Sequence, residues 1–523
     1  MGFLKKLLAL SLFFGFASLW NIYLAKTEEI PAYGDRYSEA LVGGPQFINP
    51  ILISSNDVDR DISELVYSGL MEYSPEGDIV PALAKSYKIS NDGKEYTFYL
   101  RDDVSWHDGK KFTADDVVFT ISSIINPDYS SPLRSSWQGI RIEKLDDHTI
   151  KFILNNTYAP FLEKATLGII PKHIWEPTEP KNIILASANL NPIGTGPYKT
   201  KKMIKNKEGQ ITAFVLEANG SYYKKRPYID EVEFDFYDDE EQAVNAYQKN
   251  DVLGVYSVSP KNKYLIFNNS TQIHNLNIPK YFAIFFNQNQ SLILADDKVR
   301  QALAYATDKK AIDKEVFLGE TKLIDSPILP SLSGYNDNVN KYPYDIEKAK
   351  GILAQAGWAD KNGDGILEKS AGKGKEPVNL EITIATSDFA DLAKTADMIK
   401  EEWAKAGIKV NVENYSIDDL KQTVIKPRKY DALIFGEVLS HYPDPFAFWH
   451  SSQKRDPGLN LALYSNKDVD KLLEDARQTI DEKQRNAKLQ KFQEILADEI
   501  PAIFLYSPNY LYPVSKDVKG ISV

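Results

Sequence analysis

Six histidines, His107, His148, His173, His274, His441 and His450, are the first residues in this 523-residue chain that could do chemistry. No pair of them has the i, i+4 spacing that puts two imidazoles on one face of a zinc-binding helix. No G-x-S-x-G elbow or phosphate-cradling glycine loop accompanies them. His107 stands between Trp106 and Asp108-Gly109, turn-forming neighbours that give it a structural reading. With no cysteine and only four methionines, thiolate metal sites, disulfides and a cysteine nucleophile are excluded, and soft-ligand capture of nickel or haem is disfavoured. A lipid on an N-terminal cysteine is excluded too. Aspartate and glutamate total 73, so any two could be called a glycosidase pair, and no spacing singles one out.

One carboxylate group has a pattern. Asp360, Asn362 and Asp364 place oxygen ligands at alternate positions, followed by Gly365 at the sixth, as in the opening of a calcium loop. The bidentate glutamate of such a loop belongs at position twelve, whereas Glu368 stands at nine. The Asn-Gly and Asp-Gly pairs therefore read as a hairpin turn, and no metal or other cofactor is expected. A net charge of −11 and a pI near 5.3 argue against a nucleic-acid partner. Thirty tyrosines suit a binding surface as well as a core.

The elements that would position these groups begin with an export signal. Lys5 and Lys6 precede nineteen uncharged residues, Leu7 to Ala25, a helix of about 28 Å against a hydrocarbon core of about 30 Å. Residues 1–26 are thus a signal peptide or an uncleaved membrane anchor, with the body outside. Residues 27–37 read as a polar linker. Beyond it, Asp57 to Ser68 and Ala114 to Ile125 have helical spacing, the second with Thr113 as N-cap. Glu95–Leu100 and Thr149–Leu154 alternate as strands. From about residue 280 onward strands and helices alternate, which argues an α/β domain with an open sheet.

Ordered segments across the body resemble a known family. They run Leu65-Val66-Tyr67-Ser68-Gly69-Leu70, Asp92-Gly93-Lys94-Glu95-Tyr96-Thr97-Phe98, Trp106-His107-Asp108-Gly109 and Gly194-Thr195-Gly196-Pro197-Tyr198. Val299-Arg300-Gln301-Ala302-Leu303, Ala356-Gly357-Trp358 and Tyr442-Pro443-Asp444-Pro445 follow in order. The chain resembles the extracellular solute-binding proteins of ABC importers, family 5, the class of dipeptide-, oligopeptide- and nickel-binding proteins. That resemblance implies an α/β, two-lobed periplasmic-binding-protein-like fold of type II with an extra inserted domain and a cleft between the lobes. Carried onto this chain, lobe I holds 38–80, 193–277 and 495–523, the inserted domain is 81–192, and lobe II is 280–494. The implied function is not enzymatic. A monomer at the outer face of the cytoplasmic membrane, in the periplasm or at the cell surface, captures a peptide by hinge closure and delivers it to permease subunits. A sugar or other amine-free ligand, a surface sensor, and more remotely a secreted glycoside hydrolase stand as alternatives.

The family's peptide binders carry, just before the Pro-Asp-Pro stretch, an aspartate that pairs with the ligand's α-amino group. Here His441 falls at that place, and the usual upstream tryptophan is missing. A neutral imidazole brings no negative charge, and losing a charge pair at about 4 Å forfeits roughly 1–4 kcal/mol. Either Glu437 supplies a displaced carboxylate, or the ligand has no amine and His441, Tyr442 and nearby aromatics read it. His441 as an ordinary surface turn residue is the third reading. The remaining candidate contacts are Asn49 after the first strand, Tyr256, Phe286 and Asn287 at the lobe crossings, Asp444, Trp449, and Tyr506 on the last strand returning to lobe I.

Overall fold

Local chemistry sets the elements. In the computed structural model, which describes residues 30–53, 56–266, 268–370 and 376–521, the helix Asp57–Val66 starts where the Asn56 side chain accepts from the Val58 and Asp59 amides. The buried Asp59 carboxylate then accepts from Gln46 and Phe47 N–H at 2.7 and 2.9 Å, tying the preceding turn to the helix. Ala114–Ile125 begins with the Thr113 N–H donating to Asp116, half of a capping box. The alternating segments Glu95–Leu100 and Thr149–Leu154 pair antiparallel, with Tyr96, Phe98, Ile150 and Phe152 on the buried face.

Three larger sheets organise the chain. The first runs Thr271–Leu276, Tyr510–Ser515, Gly254–Val255, Gly34–Val42, Ile229–Tyr237, Ile211–Ala218, Tyr198–Lys205. The second runs Thr321–Leu323, Ala502–Pro508, Lys280–Phe286, Ala432–Val438, Glu381–Ser387, Lys409–Tyr415. A four-stranded antiparallel sheet between residues 84 and 154 shares an apolar core with the first. Helices on both faces of the second sheet build two further cores, one around Trp403 and one around Trp449.

Two extended segments pass between the first and second sheets, and they are partners in both. Thr271–Leu276 pairs antiparallel with Tyr510–Ser515, and Lys280–Phe286 with Ala502–Pro508. The crossings are therefore Asn277–Pro279 and Asn509. The return to the first sheet comes later than the expected 495–523. Glu482–Glu499 and Ala502–Pro508 pack apolar residues such as Phe492, Leu496 and Phe504 into the second lobe, and only residues past 509 pair in the first. The linker is also shorter than the expected 27–37. Gly34, Arg36 and Tyr37 already pair in register with Ile229, Glu231 and Val232, and the Tyr37 hydroxyl bonds Glu39 and Tyr512. Residues 7–25, the expected membrane segment, lie outside the described residues. Among those described, no helix is long and apolar enough to cross a membrane.

Gly194-Thr195-Gly196 joins the inserted domain to the first sheet. A Cβ on Gly194 would stand 1.8 Å from the Val66 carbonyl oxygen, and the Gly196 N–H donates to that oxygen. The His107 ring spans the same loop: Nδ1 accepts from Gly194 N–H at 3.1 Å and Nε2 meets the Gly196 carbonyl at 3.1 Å. Accepting at one nitrogen and donating at the other requires a neutral ring, and burial brings its pKa down to about 4. Because the clash is with backbone, Gly194→Ala is expected to cost about 3 kcal/mol or more in urea unfolding. A loss under about 0.5 kcal/mol, no more than an ordinary surface change, would show that the loop is not held there.

Candidate functional site

The two lobes meet along a polar rim. On the first-lobe side, the Tyr73 hydroxyl donates to Glu163 at 2.5 Å. The Ser440–Tyr442 segment of the second lobe faces that carboxylate, its polar groups opposing the burial that raises the Glu163 pKa, while the Ser440 hydroxyl itself donates to the Tyr442 carbonyl. His441 lies against the Tyr73 ring, centroids 5.0 Å apart. The traffic also runs the other way. Asp444 of the second lobe takes Tyr158 Oη at 3.0 Å, and Arg477 Nε and Nη2 at 3.0 and 2.8 Å. Ala159 N–H donates to the Arg477 carbonyl at 2.7 Å. The Arg477 guanidinium stacks on Phe446 at 4.0 Å and Arg485 on Tyr442 at 4.1 Å, so planar cations fix the aromatic loop. Each lobe thus turns one carboxylate toward the other, and Asp444 accepts directly from Tyr158 across the rim.

A second polar surface lies on the helix Asp57–Val66. Val58, Ile62 and Val66 are buried, leaving Asp57, Arg60, Asp61 and Glu64 on the opposite face. Glu64 is solvent-exposed, yet the surrounding protein raises its pKa, and burial pushes Asp61 to about 7. These acids act on groups beyond their own helix: Asp57 on Lys280, Asp61 on Tyr256, and Glu64 on Tyr73. Lys280 opens the crossing strand of the second lobe, so the helix looks across the hinge.

The ten residues expected from the sequence divide sharply. Phe286, Trp449 and Tyr506 are core: Phe286 packs on Trp403, Trp449 on Phe285 and Phe504, and Tyr506 on Phe317. None is more than 1% exposed, so their rings are not offered to a ligand. Tyr506 also belongs to the second sheet, not the first. Asn49 is buried, with Nδ2 donating to Asn189 and Oδ1 accepting from Ile51 N–H. Asn287 caps a turn, accepting from Asn289 and Gln290 amides. Asp444 is consumed by Arg477 and Tyr158. Tyr256 edges onto Tyr510 beside Asp61 and stays half-buried. His441 and Tyr442 form the rim, with His441 exposed.

Glu437 is the unexpected one. It is 4% exposed, with one oxygen taking the Tyr281 hydroxyl and Oε1 buried without a partner. Burial pushes its pKa up to about 8, so near neutrality the protonated form is favoured and the displaced-carboxylate reading loses its charge. Sequence reasoning missed Tyr73, Tyr158, Glu163 and Arg477 as site residues, since they are far apart in the chain and only the fold brings them to one rim. The acid spacing Asp57, Asp61, Glu64 was a usable signal, because it puts three charges on one helical face.

The model of the bacterial extracellular solute-binding proteins, family 5 (middle), matches residues 78–458. The chain belongs to this family. It is 32% identical over 516 residues to the oligopeptide-binding protein AppA of Bacillus subtilis, covering 96% of this chain and 91% of that one. The structure of AppA from Bacillus subtilis in complex with a nonapeptide superposes with a TM-score of 0.76 at 30% identity, covering 94% of this chain and 97% of that one. NikZ from Campylobacter jejuni in complex with Ni(L-His) gives a TM-score of 0.76 at 31% identity, covering 93% and 95%.

Within this family the histidines of the present chain are scattered. His173 pairs with Asp108, His450 with Ser452 and Glu474, and His274 lies in the first sheet against Tyr512. Among the described residues, no three histidine, aspartate or glutamate side chains are gathered as a metal set.

Two expectations follow. Tyr158→Phe removes one donor to a carboxylate across the rim, worth about 1.5–3 kcal/mol, and should speed ligand release about tenfold or more without lowering the unfolding midpoint of the ligand-free chain. Unchanged release in stopped-flow measurements would show that the rim does not hold the closed state. For Glu437, the folded pKa lies above the unfolded one, so its contribution is complete below about pH 4.5 and is lost as pH rises through about 8. Glu437→Gln should therefore flatten the decline of stability across that window. A wild-type slope retained in the variant would contradict the assignment.

Proposed function

We propose that this chain is the extracytoplasmic binding component of an ABC importer, and that it captures peptides between its lobes and passes them to membrane permease subunits. One observation carries the reading: two lobes share a single strand ribbon and otherwise meet through a rim of exchangeable polar contacts. Such a body closes by hinge motion and is held closed by whatever interacts better with that state. No bond is made or broken. Lobe I is residues 34–80, 193–277 and 510–521 with the inserted domain 81–192, and lobe II is 280–508. The relatives support the peptide class, since one is named oligopeptide-binding and its structure holds a nonapeptide. The chain acts as a monomer on the outer face of the cytoplasmic membrane, held there or exported by residues 7–25.

His441 brings no carboxylate to the family's amine position, and Glu437 is buried. We assign recognition of the ligand's amine to Asp61 and Glu64, which unlike Glu437 are reachable from solvent, so that a bound ammonium brings their raised pKa values back down, with His441 and Tyr442 closing over the peptide. A second reading, an amine-free ligand, is favoured only by the histidine itself. A thermal-shift series on the exported body, with matched peptides bearing a free or an acetylated N-terminus, tests both. At a hundred times Kd a ligand stabilises by about 2.7 kcal/mol, so free peptides should raise Tm by several degrees and acetylated ones much less. Asp61→Asn with Glu64→Gln should narrow that difference. Stabilisation by acetylated peptides or sugars alone would overturn the peptide-amine reading.

A further inference from the structure

We propose that the loop Asp360–Glu368, on the second lobe and separate from the transport site, binds a calcium ion. The side chains at positions one, three and five are Asp360, Asn362 and Asp364. Gly365 turns the backbone at φ +85°, and Ile366 follows with its carbonyl at position seven. Asp360 already organises the loop, accepting from Gly363 N–H at 2.7 Å and Gly365 N–H at 3.0 Å. These features alone describe a turn.

Glu368 makes it a site. It is held on the short strand Glu368–Lys369, whose backbone bridges Ala359 and so closes the loop on itself. The side chain is 5% exposed and turned back into the loop, with Oε1 accepting from Lys361 N–H at 3.2 Å. Its Oε2 is buried with no hydrogen-bond partner. A buried carboxylate oxygen without a donor costs more than an ordinary hydrogen bond gains, and a cation at the loop's centre removes that cost. The neighbouring cation does not do so: Lys369 reaches Asp296 and the Trp358 ring instead. Among the described residues, no ion pair neutralises Asp360, Asp364 or Glu368.

A glutamate at position nine replaces the water that often fills that place in a calcium loop. Two oxygens from Glu368 with one each from Asp360, Asn362, Asp364 and the Ile366 carbonyl make six, within the six to eight that calcium takes. Among the described residues these three carboxylates are not drawn together as a metal set, so binding has to gather them. Asn362 donates its amide to Asp364 at 3.0 Å, and binding turns its oxygen inward instead. Three carboxylates and a flexible cage suit calcium over magnesium, which demands a tight octahedron and keeps its waters.

The test uses the full chain stripped with EDTA and titrated with calcium chloride or magnesium chloride, followed by calorimetry and Tm. Calcium should bind one equivalent with a midpoint of about 10⁻⁴ to 10⁻³ M, the range of extracellular modules, and raise Tm. Magnesium at the same concentration should do much less. Glu368→Gln and Asp364→Asn should each weaken calcium at least tenfold, and the second, on the exposed tip, should leave folding intact if the first does not. Absence of a calcium-dependent shift, equal effects of the two ions, or wild-type affinity in Asp364→Asn overturns the proposal.

Discussion

The antiparallel ribbon formed by residues 271–286 and 502–515 is the constraint on which the rest of the molecule depends. Its two halves are locked by backbone ladders, one in each sheet, while Asn277–Pro279 and Asn509 between them have no ladder partners. Bending there costs few hydrogen bonds, whereas sliding one segment past the other would break the register of both sheets at once. The motion left is rotation about a narrow waist. Glu320 sits beside it, taking the Asn509 N–H at 3.0 Å on its carbonyl and Lys263 of the first lobe on its carboxylate.

The rim obeys a different economy. Its contacts join Tyr158 to Asp444, the Ala159 N–H to the Arg477 carbonyl and the Tyr73 ring to His441, in a place that water can reach once the lobes part. Such bonds add limited increments to the closed state, the one to the charged Asp444 the largest, because water replaces them on opening. They therefore set how the lobes dock and leave the equilibrium to the ligand. Asp444 is held by Arg477 within its own lobe whether or not Tyr158 is present, so its orientation survives opening and it is ready to receive the donor again.

Much of the scaffold was legible because it is local. The alternation in Glu95–Leu100 and Thr149–Leu154 and the caps at Asn56 and Thr113 report backbone states that neighbours in sequence decide. The Trp106-His107-Asp108-Gly109 and Gly194-Thr195-Gly196 segments were recognisable, but their joining was not, since His107 and Gly196 meet only in the fold. The site was harder for the same reason. Phe286, Trp449 and Tyr506 were plausible contacts by type, and burial by residues hundreds of positions away removed them. Glu437 looked like a spare carboxylate until Tyr281 and the surrounding core showed an environment that opposes its charge. The linker and the return to lobe I were misplaced where polar residues, Arg36 and Tyr37, join a sheet through backbone pairing that composition does not reveal.

The place of Gly34–Val42 in the first sheet has a mechanical meaning. It is an interior strand with parallel neighbours on both sides, Ile229–Tyr237 and Gly254–Val255. Any tension arriving through the residues before Gly34 runs along that strand and loads its slanted bonds in shear, so that many must yield together. An edge strand pulled from its end would instead unzip one bond at a time. A chain held by its N-terminal side would thus spread drag and thermal tugging over many bonds of its first lobe at once, instead of on the crossings that have to stay free to turn.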